Sequence, residues 1–159
     1  MDRRKLGKAG PTVSAVGLGC MGMSDVYGPA DRGESIATIH AALEAGMTLL
    51  DTGDFYGMGH NEMLIGEALS SQSRHNVLVS VKFGALRDVE RNWHGYDSRP
   101  AAVKNFLAYS LRRLGALNVK FTEAHLAALA KAFPPGAAAG NRYPDSQLVH
   151  MDSEKRLKA

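Results

Sequence analysis

Three side chains in this sequence have the types and spacing to work together as an acid. Asp51 ends the apolar run Thr48-Leu49-Leu50, and Lys82 closes the valine-rich run Val77-Leu-Val-Ser-Val81. Both runs read as buried strands. A charge at the end of a buried strand is costly unless it is paired or hydrogen-bonded. Alternation along a strand puts Met47, Leu49 and Asp51 on one face, and Leu78, Ser80 and Lys82 on one face of theirs. Where two such strands are neighbours, carboxylate and ammonium meet at one carboxyl edge as a buried ion pair. Tyr56 stands in the loop Thr52-Gly-Asp-Phe-Tyr-Gly57 above that edge. A phenol titrates near pH ~10 and is a poor proton donor at neutral pH. A neighbouring ammonium stabilises the phenolate, and a carboxylate fixes the ammonium, so the three together make a tuned general acid. The same residues also fit a structural ion pair beside a rim tyrosine.

The string Gly17-Leu-Gly19-Cys-Met-Gly22 matches G-x-G-x-x-G. In a dinucleotide-binding turn the third glycine opens a helix at once, and an acidic residue follows about 20 positions on. Here the glycines run into Met23-Ser-Asp-Val-Tyr-Gly-Pro29, which reads as loop, so that context is missing. Two readings remain: a plain glycine turn after a strand, and a loop whose bare backbone lets a flat ring come close. His40, His60, His75, His94, His125 and His150 show no metal-ligand spacing with one another or with Cys20, the single cysteine. His40 and His125 fall on expected helices and read as surface residues. His60 and His94 sit in loops that follow strands, within reach of the same edge. A lone cysteine excludes an internal disulfide and fits a reducing, cytoplasmic setting.

The elements that must hold these residues follow from spacing. Residues 13–18 read as a first strand. Asp31-Arg-Gly-Glu34 has the form of a capping box, Ile36, Ile39 and Leu43 recur at helical spacing, and Gly46 stands where that helix ends. Residues 48–51 make a second strand, and Asn61 is placed to cap a helix carrying Leu64, Ile65, Ala68 and Leu69. Residues 77–83 make a third strand. Pro100 suits the first turn of a helix with Val103, Phe106, Leu107, Ser110, Leu111 and Leu114 on one side, closed by Gly115. Strand and helix therefore alternate over residues 13–115, the order of a parallel sheet with crossover helices. Then the rhythm stops. Residues 117–121 read as a short extended piece. Thr122 caps one more helix, bearing Leu126, Leu129, Ala130 and Phe133, which Pro134-Pro135 terminates. The rest is small, polar and charged, with 146–159 as a flexible tail.

Composition bounds the answer. The chain has 159 residues, 45% hydrophobic and 22% charged, which excludes a mostly disordered polymer. Its 19 basic and 16 acidic residues are interspersed, so no basic stripe points to nucleic acid. No apolar run approaches the ~20 residues of a membrane span. Met1-Asp-Arg-Arg-Lys-Leu-Gly-Lys8 lacks the apolar stretch of a secretory leader.

With these residues the sequence resembles the aldo-keto reductase family. The segments that carry the resemblance are Leu6-Gly-Lys-Ala-Gly-Pro-Thr-Val-Ser14, Val16-Gly-Leu-Gly-Cys-Met-Gly-Met-Ser24, Leu50-Asp-Thr-Gly-Asp-Phe-Tyr-Gly57, Asn61-Glu62, Val81-Lys-Phe-Gly84 and Ser110-Leu-Arg-Arg-Leu-Gly115. They cover essentially all of residues 5–115. The resemblance implies an α/β protein of the (β/α)₈ TIM-barrel class that reduces small-molecule aldehydes and ketones with NADPH. It implies Tyr56 as proton donor, Lys82 as the group that tunes it, and Asp51 as the partner of Lys82. It also places Gly19, Cys20 and Met21, with Asp51, beside the nicotinamide. Barrel catalysis at strand carboxyl ends agrees with that placement.

Residues 116–145 resemble a different part of the family, the segment after the last barrel strand. Leu117-Asn-Val-Lys-Phe-Thr-Glu-Ala-His-Leu126 and Pro134-Pro-Gly-Ala-Ala-Ala-Gly-Asn-Arg-Tyr143 carry that likeness. A full barrel takes ~250 residues and eight βα units, against about three here. The expectation is therefore an incomplete barrel: 1–115 as its N-terminal part, 116–145 joined directly after an internal deletion near Gly115, and a C-terminal helix. The resemblance implies that the absent stretch carries a catalytic histidine and the segment that grips the phosphates of NADP(H), so cofactor binding should be weak. Two functions follow. One is an NADPH-dependent carbonyl reductase, and the other a non-catalytic remnant that folds in part. Parallel sheets are normally covered on both faces, so Leu49, Leu78 and Val16 would lie bare. The valine-rich strand 77–83 would form an open edge, and self-association is expected.

Overall fold

The computed structural model describes residues 1–24, 27–70, 76–116 and 122–132. It opens on a short antiparallel hairpin, β1 (Arg3–Lys5) and β2 (Thr12–Ser14). A three-stranded parallel sheet follows, made of β3 (Leu18–Gly19), β4 (Leu49–Gly53) and β5 (Leu78–Lys82), with β4 in the middle. Helix α1 (Arg32–Glu44) links β3 to β4, and α2 (His60–Ser70) links β4 to β5. A second hairpin, β6 (Ala85–Arg87) and β7 (Trp93–Tyr96), precedes α3 (Pro100–Arg113), and α4 (Glu123–Ala132) is the last described element.

The single strand expected over 13–18 is in fact two pieces in different sheets. The reason lies at Ser14. Its hydroxyl donates to the carbonyl of Val16 and accepts the amide of Thr48, while its own amide bonds the Thr48 hydroxyl. A side chain that bonds its own backbone two residues on closes a turn instead of extending the strand. The 83–99 stretch, expected to be loop, holds the β6–β7 hairpin. Its turn is closed by Asp88, which takes the Asn92 amide at 2.8 Å, and by Arg91 in the left-handed region at φ +70°.

Local rules account for the helices. The Asp31 carboxylate accepts the amide of Glu34 at 2.8 Å and starts α1, and Gly46, at φ +88°, ends it. Pro100 occupies the first turn of α3. Asn61 does not cap α2. It lies inside the helix, one residue past its start, and is wholly buried. Thr122 immediately precedes α4, as expected.

The core sits between the sheet and α1 and α2. Leu50, Cys20, Ile39, Ile65, Ala68 and Leu69 form it, with Leu18, Ile36, Leu43 and Val79 packed around them. The opposite face of the sheet is less covered: Leu49 and Leu78 are half-buried, and Val16 beside it is exposed. Among the described residues three parallel strands do not close into a barrel, so the fold is an incomplete one. The extended piece at 117–121, the tail from 133 onward and the side chains of Leu126 and Leu129 lie outside the described residues, and with them the expected cover of that face.

Candidate active site

Parallel pairing brings the three expected residues to one edge. Asp51 stands opposite Gly19 of β3 and Ser80 of β5, and Gly53 stands opposite Lys82. Lys82 Nζ donates to Asp51 Oδ1, forming an ion pair, and reaches the carbonyl of Thr52 at 3.4 Å. The pair is not buried as expected. Its side chains are 48% and 42% exposed, because they project from the half-open face of the sheet. Partial burial works to lower the pKa of Lys82, but the hydrogen bond and charge of Asp51, and then the Tyr56 phenol, outweigh it, and the ammonium is held above its ordinary range.

Tyr56 is not a rim residue. It is 6% exposed, and Lys82 Nζ lies 5.5 Å from its ring centroid. Gly53 makes this possible. A Cβ there would sit 3.2 Å from Cε1 and Cζ of Tyr56, so a bare backbone lets the ring lie against the end of β4. Phe55 packs edge-on against Tyr56 at 4.8 Å between centroids, and Trp93 of β7 packs on Phe55 at 5.8 Å. Gly57 and Met58 then adopt left-handed backbone, at φ +54° and +56°, and turn the chain into α2. For methionine that region is strained.

The Gly19-Cys20-Met21 loop borders the same edge. The Cys20 amide donates to the Asp51 carbonyl at 2.9 Å. A Cβ on Gly19 would meet nothing within 4 Å, so the backbone there faces open space, as the flat-ring reading of the glycines requires. Gly17 serves differently: a Cβ there would lie 3.1 Å from the side chain and carbonyl of Leu49. Burial, and then the charge of Asp51, push the Cys20 thiol up to about 11, which makes it a packing residue and not a nucleophile.

Two features beside the site were not read from the sequence. Asn61 bonds Thr52, Cys20 and Ser24 at once. Behind the loop, Asp54 and Glu62 are buried carboxylates near the Arg113 guanidinium, which bonds the Glu62 side chain and the backbone of Asp54. Arg113 Nη1 lies 2.9 Å from Glu62 Oε2 and 3.3 Å from the Asp54 carbonyl oxygen. Neither carboxylate oxygen of Asp54 meets a donor at bonding geometry. Burial, and then the charge of Glu62, raise its pKa to about 6, against the pull of Arg113 and the nearby amides of Gly84 and Phe55. Partners more than 50 residues apart give no local signal. A shallow pocket of about 210 Å³ lies on this side too, lined by Asp54, Phe55, Leu86, Phe106, Tyr109 and Arg113 and by none of the three acid-site residues.

The histidines are placed by their bonds. His40 is half-buried and bridges α1 to the Ala68 carbonyl of α2 at 2.9 Å, so it is not the surface residue expected. His60 opens α2 and bonds Ser24. His94 pairs with Asp88 within the second hairpin. His125 lies on α4, and His75 and His150 fall outside the described residues. Among the described residues no cluster of three metal-ligating side chains is present, and no helix is long and apolar enough to cross a membrane.

Comparison with known proteins places this arrangement. The family model described as the aldo/keto reductase family matches residues 15–130. Among solved structures, the chain is similar to the aldo-keto reductase AKR11C1 from Bacillus halodurans in its holo form. The identity is 31% and the TM-score 0.65, over 72% of this chain and 37% of that one. It is similar also to the glycerol dehydrogenase AKR11B4 from Gluconobacter oxydans, at 33% identity and a TM-score of 0.59, over 71% of this chain and 35% of that one. The chain thus spans little more than a third of the length of either. The family match runs from the turn before β3 into α4 and takes in every element that carries the site, and the chain belongs to the aldo/keto reductase family.

Proposed function

We propose that the edge formed by Asp51, Tyr56 and Lys82 is the acid site of an NADPH-dependent carbonyl reductase. The observation that carries the reading is the Lys82–Asp51 ion pair set beside the buried Tyr56 ring at the carboxyl ends of adjacent parallel strands. A bound nicotinamide would supply hydride to the carbonyl carbon of an aldehyde or ketone. Tyr56 gives its phenol proton to the carbonyl oxygen, and the Lys82 ammonium stabilises the phenolate left behind. Asp51 keeps that ammonium in place. The residues fit the nicotinamide end of the cofactor, since the open backbone at Gly19 leaves room for a ring beside Asp51. Among the described residues we identify no such set for the phosphate end. We read this as the internal deletion near Gly115, and binding of NADP(H) is expected to be weak and turnover slight.

A second reading is a non-catalytic remnant that associates with other copies. It is favoured by the half-open sheet face and by β5, an outer strand of its sheet among the described residues. Fluorescence titration of NADPH into purified protein of confirmed mass separates the two, with reduction of 4-nitrobenzaldehyde measured in parallel. NADPH-dependent reduction lost on Lys82→Met establishes the reductase. Absence of binding and turnover, with light scattering above monomer mass at tens of micromolar, establishes the remnant.

A further inference from the structure

Asn61 lies inside α2, wholly buried, and its side-chain bonds all leave the helix. Its Nδ2 donates to the Cys20 carbonyl and to Ser24 Oγ, each at 2.8 Å, and its Oδ1 accepts from the Thr52 hydroxyl at 2.5 Å. Chemistry fixes the amide's orientation. A backbone carbonyl can only accept, so the nitrogen must face Cys20, and the Thr52 hydroxyl must then donate. Ser24 Oγ receives the second N–H of Asn61 and lies 2.9 Å from His60 Nδ1. Both N–H donors of the amide and its oxygen are used.

This lock of bonds lies on the covered side of β4, behind the acid site. Thr52 directly follows Asp51, and Asn61 comes soon after Tyr56 on the same stretch of chain. Cys20 belongs to the loop across the edge. Its amide is held by the Asp51 carbonyl and its carbonyl by Asn61, so one residue of that loop is gripped through both its peptides, from β4 and from α2. We propose that Asn61 is a positioning residue. Its N–H donors hold Cys20 and Ser24 and its Oδ1 holds Thr52, which together set the Gly19-Cys20-Met21 loop at a fixed distance from the Asp51–Tyr56 segment, so that a ring resting on Gly19 faces the Tyr56 phenol. The use of this lock rests on the acid-site reading above, whereas its geometry does not.

Cys20 is the single cysteine and is wholly buried under the lock, so its thiol reports on whether the loop is held. The experiment compares alkylation of the native full chain by N-ethylmaleimide at pH 8 in the wild type, Asn61→Ala, Asn61→Asp and Ile65→Val. Rates are taken at equal distance below each Tm. Aspartate keeps the size and the acceptor for Thr52 but has no N–H. Ile65→Val removes core packing alone. Both Asn61 variants are expected to label about tenfold faster or more, and to bind NADPH, followed by its fluorescence, more weakly than the wild type. Should they fail to fold, Thr52→Val keeps Asn61 and is expected to label about fivefold faster. Wild-type labelling of Asn61→Asp or Thr52→Val overturns the proposal, as does equal acceleration in Ile65→Val. Faster labelling in the Asn61 variants, with no NADPH binding by any form including the wild type, upholds the lock and removes the cofactor reading instead.

Discussion

The two faces of the three-stranded sheet are built from the same strands, one residue out of step, and they are finished to different degrees. Toward α1 and α2, Leu50 and Thr52 are wholly buried against Ile39 and Ile65. On the other face Leu49, Asp51 and Leu78 are half-buried and Lys82 is exposed. Stability therefore stands on one side of β4 and the proposed chemistry on the other. The difference teaches what an acid site needs beyond its residues. Water that reaches an ion pair screens it, and the same pair in a closed cavity acts far more strongly on a developing charge. Asp51, Lys82 and Tyr56 are brought together, while among the described residues no low-dielectric surround encloses the Asp51–Lys82 pair.

The comparison is tested hardest on the covered side. Arg113→Met should destabilise by about 3–5 kcal/mol, because it leaves the buried Glu62 carboxylate without its guanidinium. Urea unfolding reads this directly, and a loss below 1 kcal/mol would mean that water already reaches Glu62. Ile65→Ala should cost about 2–5 kcal/mol, whereas Leu49→Ala, on the half-open face, should cost less, about 1–2 kcal/mol, since part of its surface stays in water in the folded chain. Equal losses at the two positions would show that the inner face is covered after all.

Asp54 gives a smaller effect with a definite sign. Its folded pKa of about 6 lies above the ordinary carboxyl value, so the folded chain holds the proton longer than the unfolded one. The resulting advantage is complete below about pH 4 and lost as pH rises through about 6. Between pH 4 and 7 the wild type should lose about 2–3 kcal/mol relative to Asp54→Asn, seen as converging and then crossing urea midpoints. A pH-independent difference would place a compensating charge beside Asp54. The smallest effect should be that of Lys82→Met on stability, within about 1 kcal/mol, because the ion pair is exposed. A larger loss would bring the open face closer in character to the covered one.

Much of this arrangement was legible because it rests on short-range rules. Asp31, Gly46, Pro100 and Gly115 punctuate helices within a few residues, and strand parity sets Asp51 and Lys82 on one side once their strands are neighbours. The string Gly17-Leu-Gly19-Cys-Met-Gly22 was legible only as alternatives. In the structure its glycines do separate jobs, one pressed on Leu49 and one open to space. What could not be read depends on partners distant in the chain or on ambiguous residues. Asn61 looks like a cap because asparagine caps helices, and only the fold reveals that its partners are Cys20 and Ser24. The Asp54, Glu62 and Arg113 cluster joins β4, α2 and α3 across more than 50 positions. The β6–β7 hairpin escaped because its turn uses Arg91 where glycine or asparagine would have announced it. The burial of the Lys82–Asp51 pair was misjudged for a related reason: parity gives the face, but not what lies above it.

The end of α3 has one more consequence, for anyone who would splice a longer chain onto this one. A Cβ on Gly66 would meet the Arg113 carbonyl at 2.7 Å, so α2 and α3 touch backbone to backbone. Arg113 ties the same turn to Glu62 and to the end of β4. Gly115, at φ +67°, and the Ala116 amide, bonded to the Leu111 carbonyl at 2.8 Å, then set the heading of the chain as it leaves. That junction is a bracket and not a hinge. A further βα unit grafted after Ala116 would therefore start from a fixed point in a fixed direction.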